Sequence, residues 1–299
     1  MRNLHAEITR RIVEQLETGV APWRKPWSAK ASQAGGASIF PRNAVSGRPY
    51  SGVNVLLLWA KADDHGYSDG RWLTFKQAKE LGGSVRGGEK GTEVVYLNFV
   101  ERDDRRDPDK TVRIPFLKSY WVFNVAQCDN LSRLDETRPV GRPVARYERD
   151  QTVDEFVRST GARVRRGEPR PYYQPLGDFV AMPAFDAFET GHAYYSTLFH
   201  ELGHWTGAEH RLNRTFGKRF GDREYAAEEL VAELSSAFVC AEFGIDNNGQ
   251  DAAYLATWLP TLLEFLNHHE TALVGAAGAA GKAVEFMRSL AMAELAQAA

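Results

Sequence analysis

The chain has 299 residues, long for one domain and comfortable for two. With 43% hydrophobic residues, 25% charged residues and only two cysteines, it excludes bulk disorder, a collagen-like repeat and a disulfide scaffold. No run of about eighteen uninterrupted apolar residues occurs, which excludes a membrane-spanning helix. The net charge of −2 hides an asymmetry: residues 1–140 carry 22 Lys and Arg against 17 Asp and Glu, leaving 15 against 22 for the rest. Such a split suggests two units with different partners.

In chain order, MRNLHAEITRRIVEQLETG reads as a charged amphipathic helix with Ile8, Ile12, Val13 and Leu16 on one stripe. It lacks the apolar centre and cleavage site of a secretory signal, so the chain is read as cytoplasmic. The loop GVAPWRKPW and a Gly/Ser/Ala stretch over residues 28–38 follow. SGRPYSGVNVLLLWAKADDHG predicts a turn and an apolar helix starting near Ser51 or Asn54. WLTFKQAKELGG predicts a short helix with Thr74 as N-cap and Gly82-Gly83 as its stop. GTEVVYLNFVERDD and TVRIPFLKSYWVFNVAQC alternate as strands, with residues 101–110 as the hairpin loop. Trp59, Trp72 and Trp121 lie in apolar segments and are assigned to the core.

Two prolines in polar company, Pro139 and Pro143, mark a linker over residues 136–150. It separates a domain at residues 1–135 from one at 151–299. The second begins with the helix VDEFVRSTG, continues through short strands in ARVRRGEPRPYYQPLGDFVAMP, and is helical from Ala193 onward. The fold class is therefore α+β. Cys128 and Cys240 sit in apolar settings and are expected as buried free thiols.

The strongest chemical signal is His200-Glu201-Leu202-Gly203-His204. The i, i+4 spacing puts both imidazoles on one helix face, suited to one Zn²⁺. Glu201 is placed to accept a proton from water at the metal, as a catalytic base. A catalytic zinc takes a third protein ligand, and the helix EYAAEELVAELSSAFVCAEFG offers Glu228, Glu229 and Glu233 among apolar neighbours. Glu229 is the expected metal ligand, with Glu233 accepting the N–H of a ligating imidazole. Glu228 and His210 stand as alternatives, since Gly207 and His210 also fit the longer zincin pattern. No Met-turn sequence follows. The segment over residues 177–185, GDFVAMPAF, could be an edge strand for an extended peptide or a plain core strand. Tyr194 and Tyr195 could serve an oxyanion or pack in the core.

In the first domain, Trp23-Arg24-Lys25-Pro26-Trp27 interleaves aromatics with cations, and Arg42, Arg48, Tyr50, Lys76 and Lys79 add more. Basic groups with stacking aromatics are how single-stranded DNA is held without reading its sequence. Trp23, Arg24, Lys25, Trp27, Arg42, Arg48, Tyr50 and Lys76 are the expected DNA contacts.

The segments PWRKPW, GRPYSGVNVLLLW, WLTFKQAKELGGSVRGGEKGTEVVY, the HELGHWTG run through Arg214, and YAAEELVAELSSAF, in that order, resemble the ArdC-type antirestriction proteins of conjugative plasmids. The N-terminal part is also similar to the N-terminal region of plasmid TraC-type primases, although no primase catalytic motif is present. The resemblance implies an N-terminal single-stranded-DNA-binding domain, a C-terminal zincin-like metallopeptidase-fold domain, and protection of incoming plasmid DNA from host restriction during conjugation. It carries His200, Glu201 and His204 over as the metal site and favours Glu229 over His210 as third ligand. Zn²⁺ is the expected cofactor, with Mn²⁺ or another divalent ion as alternative. Two readings compete: a metallopeptidase that cleaves a host protein, and a binding protein whose metal is structural.

Overall fold

The computed structural model describes residues 4–17, 23, 40–104, 107–132, 134, 147–215, 223–247, 252–269 and 271–298. The chain divides into two compact units. The smaller is Pro41–Glu136; the larger joins Met1–Phe40 to Thr137–Ala299. No helix among the described residues is long and apolar enough to cross a membrane.

The smaller unit is built on a four-stranded sheet of β1 (Arg42–Asn43), β2 (Arg71–Leu73), β4 (Thr92–Asp104) and β5 (Asp107–Asn124), in the order β1-β2-β5-β4. β1 and β2 run parallel; the other pairs are antiparallel. The β4–β5 hairpin stays paired as far as Asp104 opposite Asp107, so its strands run well into the charged segment expected as a loop. A ladder can do this because its hydrogen bonds are made by the main chain, whatever side chains it carries. β3 (Ser84–Val85) pairs with β6 (Cys128–Asp129) as a separate two-stranded ribbon. Helix α2 (Val53–His65) lays Leu58 against Trp72, Val94, Val122 and Tyr50, the core of this unit.

Helix α2 starts after Gly52, at φ 60°, and no side chain caps it. Asn54 instead ties the helix to β4, donating to the Val95 carbonyl at 2.6 Å and accepting from its N–H at 2.8 Å. Helix α3 (Phe75–Glu80) has the expected Thr74 cap, completed reciprocally by Gln77.

In the larger unit, α1 (Leu4–Glu17) buries Ile8, Ile12, Val13 and Leu16. It packs on α7 (Ala252–His268) and α8 (Ala272–Ala298), an amphipathic stripe meeting helices from the far end of the chain. Helix α4 (Gln151–Ser159) is capped by Asp150, which accepts from the N–H groups of Thr152 and Val153. A three-stranded sheet follows: β7 (Val164–Arg166), β8 (Tyr172–Gln174) and β9 (Phe179–Met182), in the order β7-β9-β8. β9 is the buried central strand, so the edge-strand alternative for residues 177–185 is replaced: β7 and β8 form the edges. Helix α5 (Gly191–Trp205) packs against β8 and β9, and helix α6 (Arg223–Phe243) packs against α5 and α8. Both cysteines are free; Cys240 is buried as expected, whereas Cys128 is half-buried.

Candidate metal centre and exposed aromatic face

Helix α5 begins where Thr190 accepts from the Ala193 N–H at 3.0 Å. Tyr194, Leu198, Phe199, Leu202 and Trp205 are all buried, so the helix runs through the core and carries its histidines inward. Gly203 lets α6 come close. A Cβ added there would lie 3.0 Å from Ala232 Cα and 3.3 Å from both the Ala232 carbonyl oxygen and Ser235 Cβ. This crossing brings Glu228, Glu229 and Glu233 against the His200–His204 face.

The Nε2 atoms of His200 and His204 stand 3.1 Å apart. Glu229 places one oxygen 3.5 Å from His200 Nε2 and the other 3.5 Å from His204 Nε2. Three donors thus converge within 4.8 Å of one another. Ligands about 2.1 Å from a tetrahedral ion lie about 3.4 Å apart, so these spacings fit a single cation. The outward nitrogens face carboxylates: His204 Nδ1 is 3.2 Å from Glu228, and His200 Nδ1 is 3.7 Å from Glu233. The Glu228 carboxylate behind His204 fixes that ring's tautomer so that its Nε2 turns its lone pair to the ion, while Glu233 faces His200 Nδ1 from beyond hydrogen-bond distance. Two nitrogens, one carboxylate oxygen and this support make a donor set that fits a divalent metal.

The electrostatics follow from burial among carboxylates. Burial pushes the His200 imidazole pKa down, but Glu229, Glu201 and Glu233 overcome it and hold it up at about 9. For His204 the same opposition, with Glu228 as the main partner, also ends in a raised pKa. Glu201 is raised by burial, against the pull of both histidines, and it accepts the backbone N–H of Tyr173 on β8. A buried carboxylate with a raised pKa holds a proton more readily than an exposed one. Glu228 is raised by burial and lowered further by Arg214 and His204, for a net lowering. Arg214 grips it with two bonds of 2.9 and 2.8 Å while donating to the Gly203 carbonyl at 2.6 Å.

The structure brings together His200, Glu201, His204, Glu229 and Glu233. His210 lies elsewhere: it is 63% exposed and faces Asp178 at 3.3 Å. Glu228 sits behind His204 Nδ1 rather than between the imidazoles. Arg214 was not anticipated as its holder, although its place at the end of the quoted HELGHWTG run marked it. Tyr194 and Tyr195 are buried core residues; the Tyr195 hydroxyl accepts from the Asp150 N–H and the Tyr194 hydroxyl from Arg166.

Among the expected DNA contacts, Arg24, Lys25 and Trp27 lie outside the described residues. Trp23 is 0% exposed, which takes its ring away from any base. Tyr50 is also buried, and burial first, then Tyr120, pushes its phenol pKa up. Arg42 is half-buried, and its burial lowers its pKa. Arg48 and Lys76 are exposed.

The assignment of Trp121 to the core is corrected. Along β5, Tyr120 and Val122 face the core, and strand alternation turns Trp121 and Phe123 to the opposite face. Trp121 is 55% exposed and Phe75 is 49% exposed. Phe75 meets Phe123 edge-on at 6.5 Å, and Lys79 sits 4.9 Å from the Phe75 ring centroid. Gly91 leaves the room these rings use, since a Cβ there would lie 3.1 Å from Phe123 and 3.3 Å from Trp121 Cβ. Exposed rings beside lysines can stack on bases and hold phosphates.

Comparison with known proteins matches two families along the chain. Residues 2–123 match a family described as the N-terminal domain of anti-restriction factor ArdC, and residues 151–279 match a zincin-like metallopeptidase family. The chain is 35% identical to the uncharacterized protein y4eC of Sinorhizobium fredii, covering 96% of this chain and 92% of that one. It is 37% identical to a DNA primase TraC of Escherichia coli over 87% of this chain, but spans only 25% of that primase. Two crystal structures of the antirestriction protein ArdC from plasmid R388 are similar, each covering 97% of this chain and 98% of theirs. The metal-free form gives a TM-score of 0.79 at 38% identity. The Mn(II)-bound form gives 0.77 at 36% identity.

Proposed function

The chain belongs to the ArdC family of plasmid antirestriction proteins, and on that footing we propose that it holds single-stranded DNA and shields incoming plasmid DNA from host restriction during conjugation. The observation that carries the DNA reading is the exposed Phe75–Trp121 face with Lys79 beside it; Lys76, next to Phe75 in the chain, is also exposed, 3.6 Å from Glu80. Arg48, exposed on the same unit, adds a further cation. This face replaces Trp23 and Tyr50 as the stacking surface, because only exposed rings can meet bases.

The zincin-like domain implies a divalent metal, and we assign it to His200, His204 and Glu229, with Zn²⁺ as the ion best matched to two imidazoles and one carboxylate. When bound, such an ion supplies Lewis acidity toward a carbonyl. Glu228 orients the His204 imidazole, and Glu233 lies behind that of His200. Glu201, beside His200 and held by the Tyr173 N–H, accepts and returns a proton at its carboxylate. That position favours a second reading: a metallopeptidase acting on a host protein.

Fluorescence anisotropy of the full chain with oligo(dT) tests the first reading. Removing both rings, Phe75→Ala with Trp121→Ala, should weaken binding about tenfold or more, since stacking is worth about 1–3 kcal/mol per base. It should also lower plasmid transfer into restricting recipients and spare non-restricting ones. Unchanged affinity would refute the assignment. Glu201→Gln separates the second reading: loss of protection with metal still bound would make proteolysis part of the function, and retained protection would remove it.

A further inference from the structure

The three-stranded sheet of the larger unit has a face turned away from the metal helix. Register sets Arg165 and Tyr172 opposite Ala181, so these residues share one face with Phe179, two positions along β9. Val164, Arg166, Tyr173, Val180 and Met182 occupy the other face, where Arg166 donates to the Tyr194 hydroxyl of α5 at 3.2 Å.

On the outer face, arginines lie over aromatic rings. The Arg165 guanidinium is 3.7 Å from the Phe179 centroid, and that of Arg163 is 5.4 Å from the same ring. Arg170 lies 5.8 Å from the Tyr172 ring, which meets Phe179 edge-on at 6.1 Å. All three arginines are exposed. Among the described residues none forms an ion pair; Arg163 makes one hydrogen bond, to the Gly177 carbonyl. This is unexpected in a unit whose sequence carries 22 basic residues against 25 acidic ones. A guanidinium laid on a ring keeps its N–H donors in its own plane, directed outward, where they match phosphate oxygens two at a time.

We propose that this face is a second contact for single-stranded DNA, in which Arg163, Arg165 and Arg170 bind backbone phosphates. The inference rests on the reading that the chain holds DNA, and extends it from the smaller unit to the metal-binding one. An acidic peptide is the weaker candidate, because a peptide presented to Glu201 would have to lie on the opposite side of the sheet. Binding here requires no metal.

The test uses the full chain carrying Arg163→Gln, Arg165→Gln and Arg170→Gln together, with Trp121→Ala as a separate variant. Anisotropy with oligo(dT) is measured across a salt series, with melting temperature and metal content as folding controls. Each phosphate released from a single strand changes the slope of log affinity against log salt by about 0.7. The triple variant should therefore lose about 2 from that slope, and at least about tenfold in affinity at low salt, with or without metal. A wild-type slope and affinity in the triple variant, alongside weakened binding by Trp121→Ala, would overturn this inference and leave the smaller unit's role intact. Wild-type protein that fails to bind oligo(dT) at low salt would overturn both. Binding of polyglutamate that depends on the three arginines, with oligo(dT) binding unaffected by them, would mark the face as an acidic-protein site and also overturn the proposal.

Discussion

Replacing Gly203 by alanine places one methyl group in the narrowest part of the α5–α6 crossing. The new carbon would meet Ala232 Cα at 3.0 Å and both the Ala232 oxygen and Ser235 Cβ at 3.3 Å. Carbon pairs are most favourable at about 3.5–4.0 Å, so α6 must retreat by about 0.5 Å. Overpacking of this kind costs about 1–3 kcal/mol, against about 1 kcal/mol regained from the helix propensity of alanine over glycine. The net loss of stability is therefore small, about 0–2 kcal/mol. The effect on the metal is larger in proportion. Glu229 rides on α6, while His200 and His204 ride on α5, so one ligand of three is displaced from the other two. Metal affinity, measured by chelator competition, should fall about tenfold, equivalent to about 1.4 kcal/mol. Urea unfolding of the same variant separates the two quantities. A Gly203→Ala protein with wild-type affinity and a full 1 kcal/mol of added stability, roughly the propensity gain alone, would refute the argument that this glycine sets the ligand geometry.

Glu233→Ala removes the carboxylate behind His200, and chelator competition should show metal affinity reduced about 10–100-fold. Metal affinity should also fall as the pH drops below about 9, because the proton held on His200 must leave before the ion binds; titration at several pH values reads this as proton release. Arg211→Ala removes a guanidinium 4.0 Å from the Trp205 ring that also donates to the Trp205 carbonyl and to Asp178. It should cost about 2–4 kcal/mol in urea unfolding. The bonds from Arg211 chiefly, against burial, hold the Asp178 carboxyl at about 2, below its ordinary 3.8. Its contribution is full above about pH 4 and is lost as the pH falls through 2, so Asp178→Asn should flatten the acid limb of the stability curve over that interval.

The candidate metal site was legible because its signal is local. An i, i+4 pair of histidines in an apolar helix announces its own geometry, and helical spacing narrowed the third ligand to three acids. Choosing among those acids required α6 to be docked, since Glu228, Glu229 and Glu233 differ only in which atom of which imidazole they face. The proposed DNA surface was harder to read. Residues 120–123, Tyr-Trp-Val-Phe, are apolar at every position, so the two-residue period of a strand assigns no face. Only packing of Val122 beneath α2 turns Trp121 outward. Trp23 misled for the converse reason: a basic, proline-rich context looks exposed, yet the ring is buried. The charge asymmetry weakens when counted by compact unit. Pro41–Glu136 carries 15 basic residues against 14 acidic ones, so its case for DNA rests on the local arrangement of rings and lysines, not on net charge.

The packing of α1 on α7 and α8 also sets an order of events during synthesis. Helix α1 leaves the ribosome long before its partners α7 and α8 are made. Until they arrive, Ile8, Ile12, Val13 and Leu16 have no native surface to cover them. Pro41–Glu136, whose contacts are internal to one continuous stretch, can complete its sheet while the rest is still being translated. The metal-binding unit must instead close a loop of most of the chain, and such long-range contacts form slowly. A nascent or truncated chain would thus hold a finished sheet beside a sticky, unpaired helix. Fragments meant to isolate the smaller unit should begin at residue 41 rather than at residue 1.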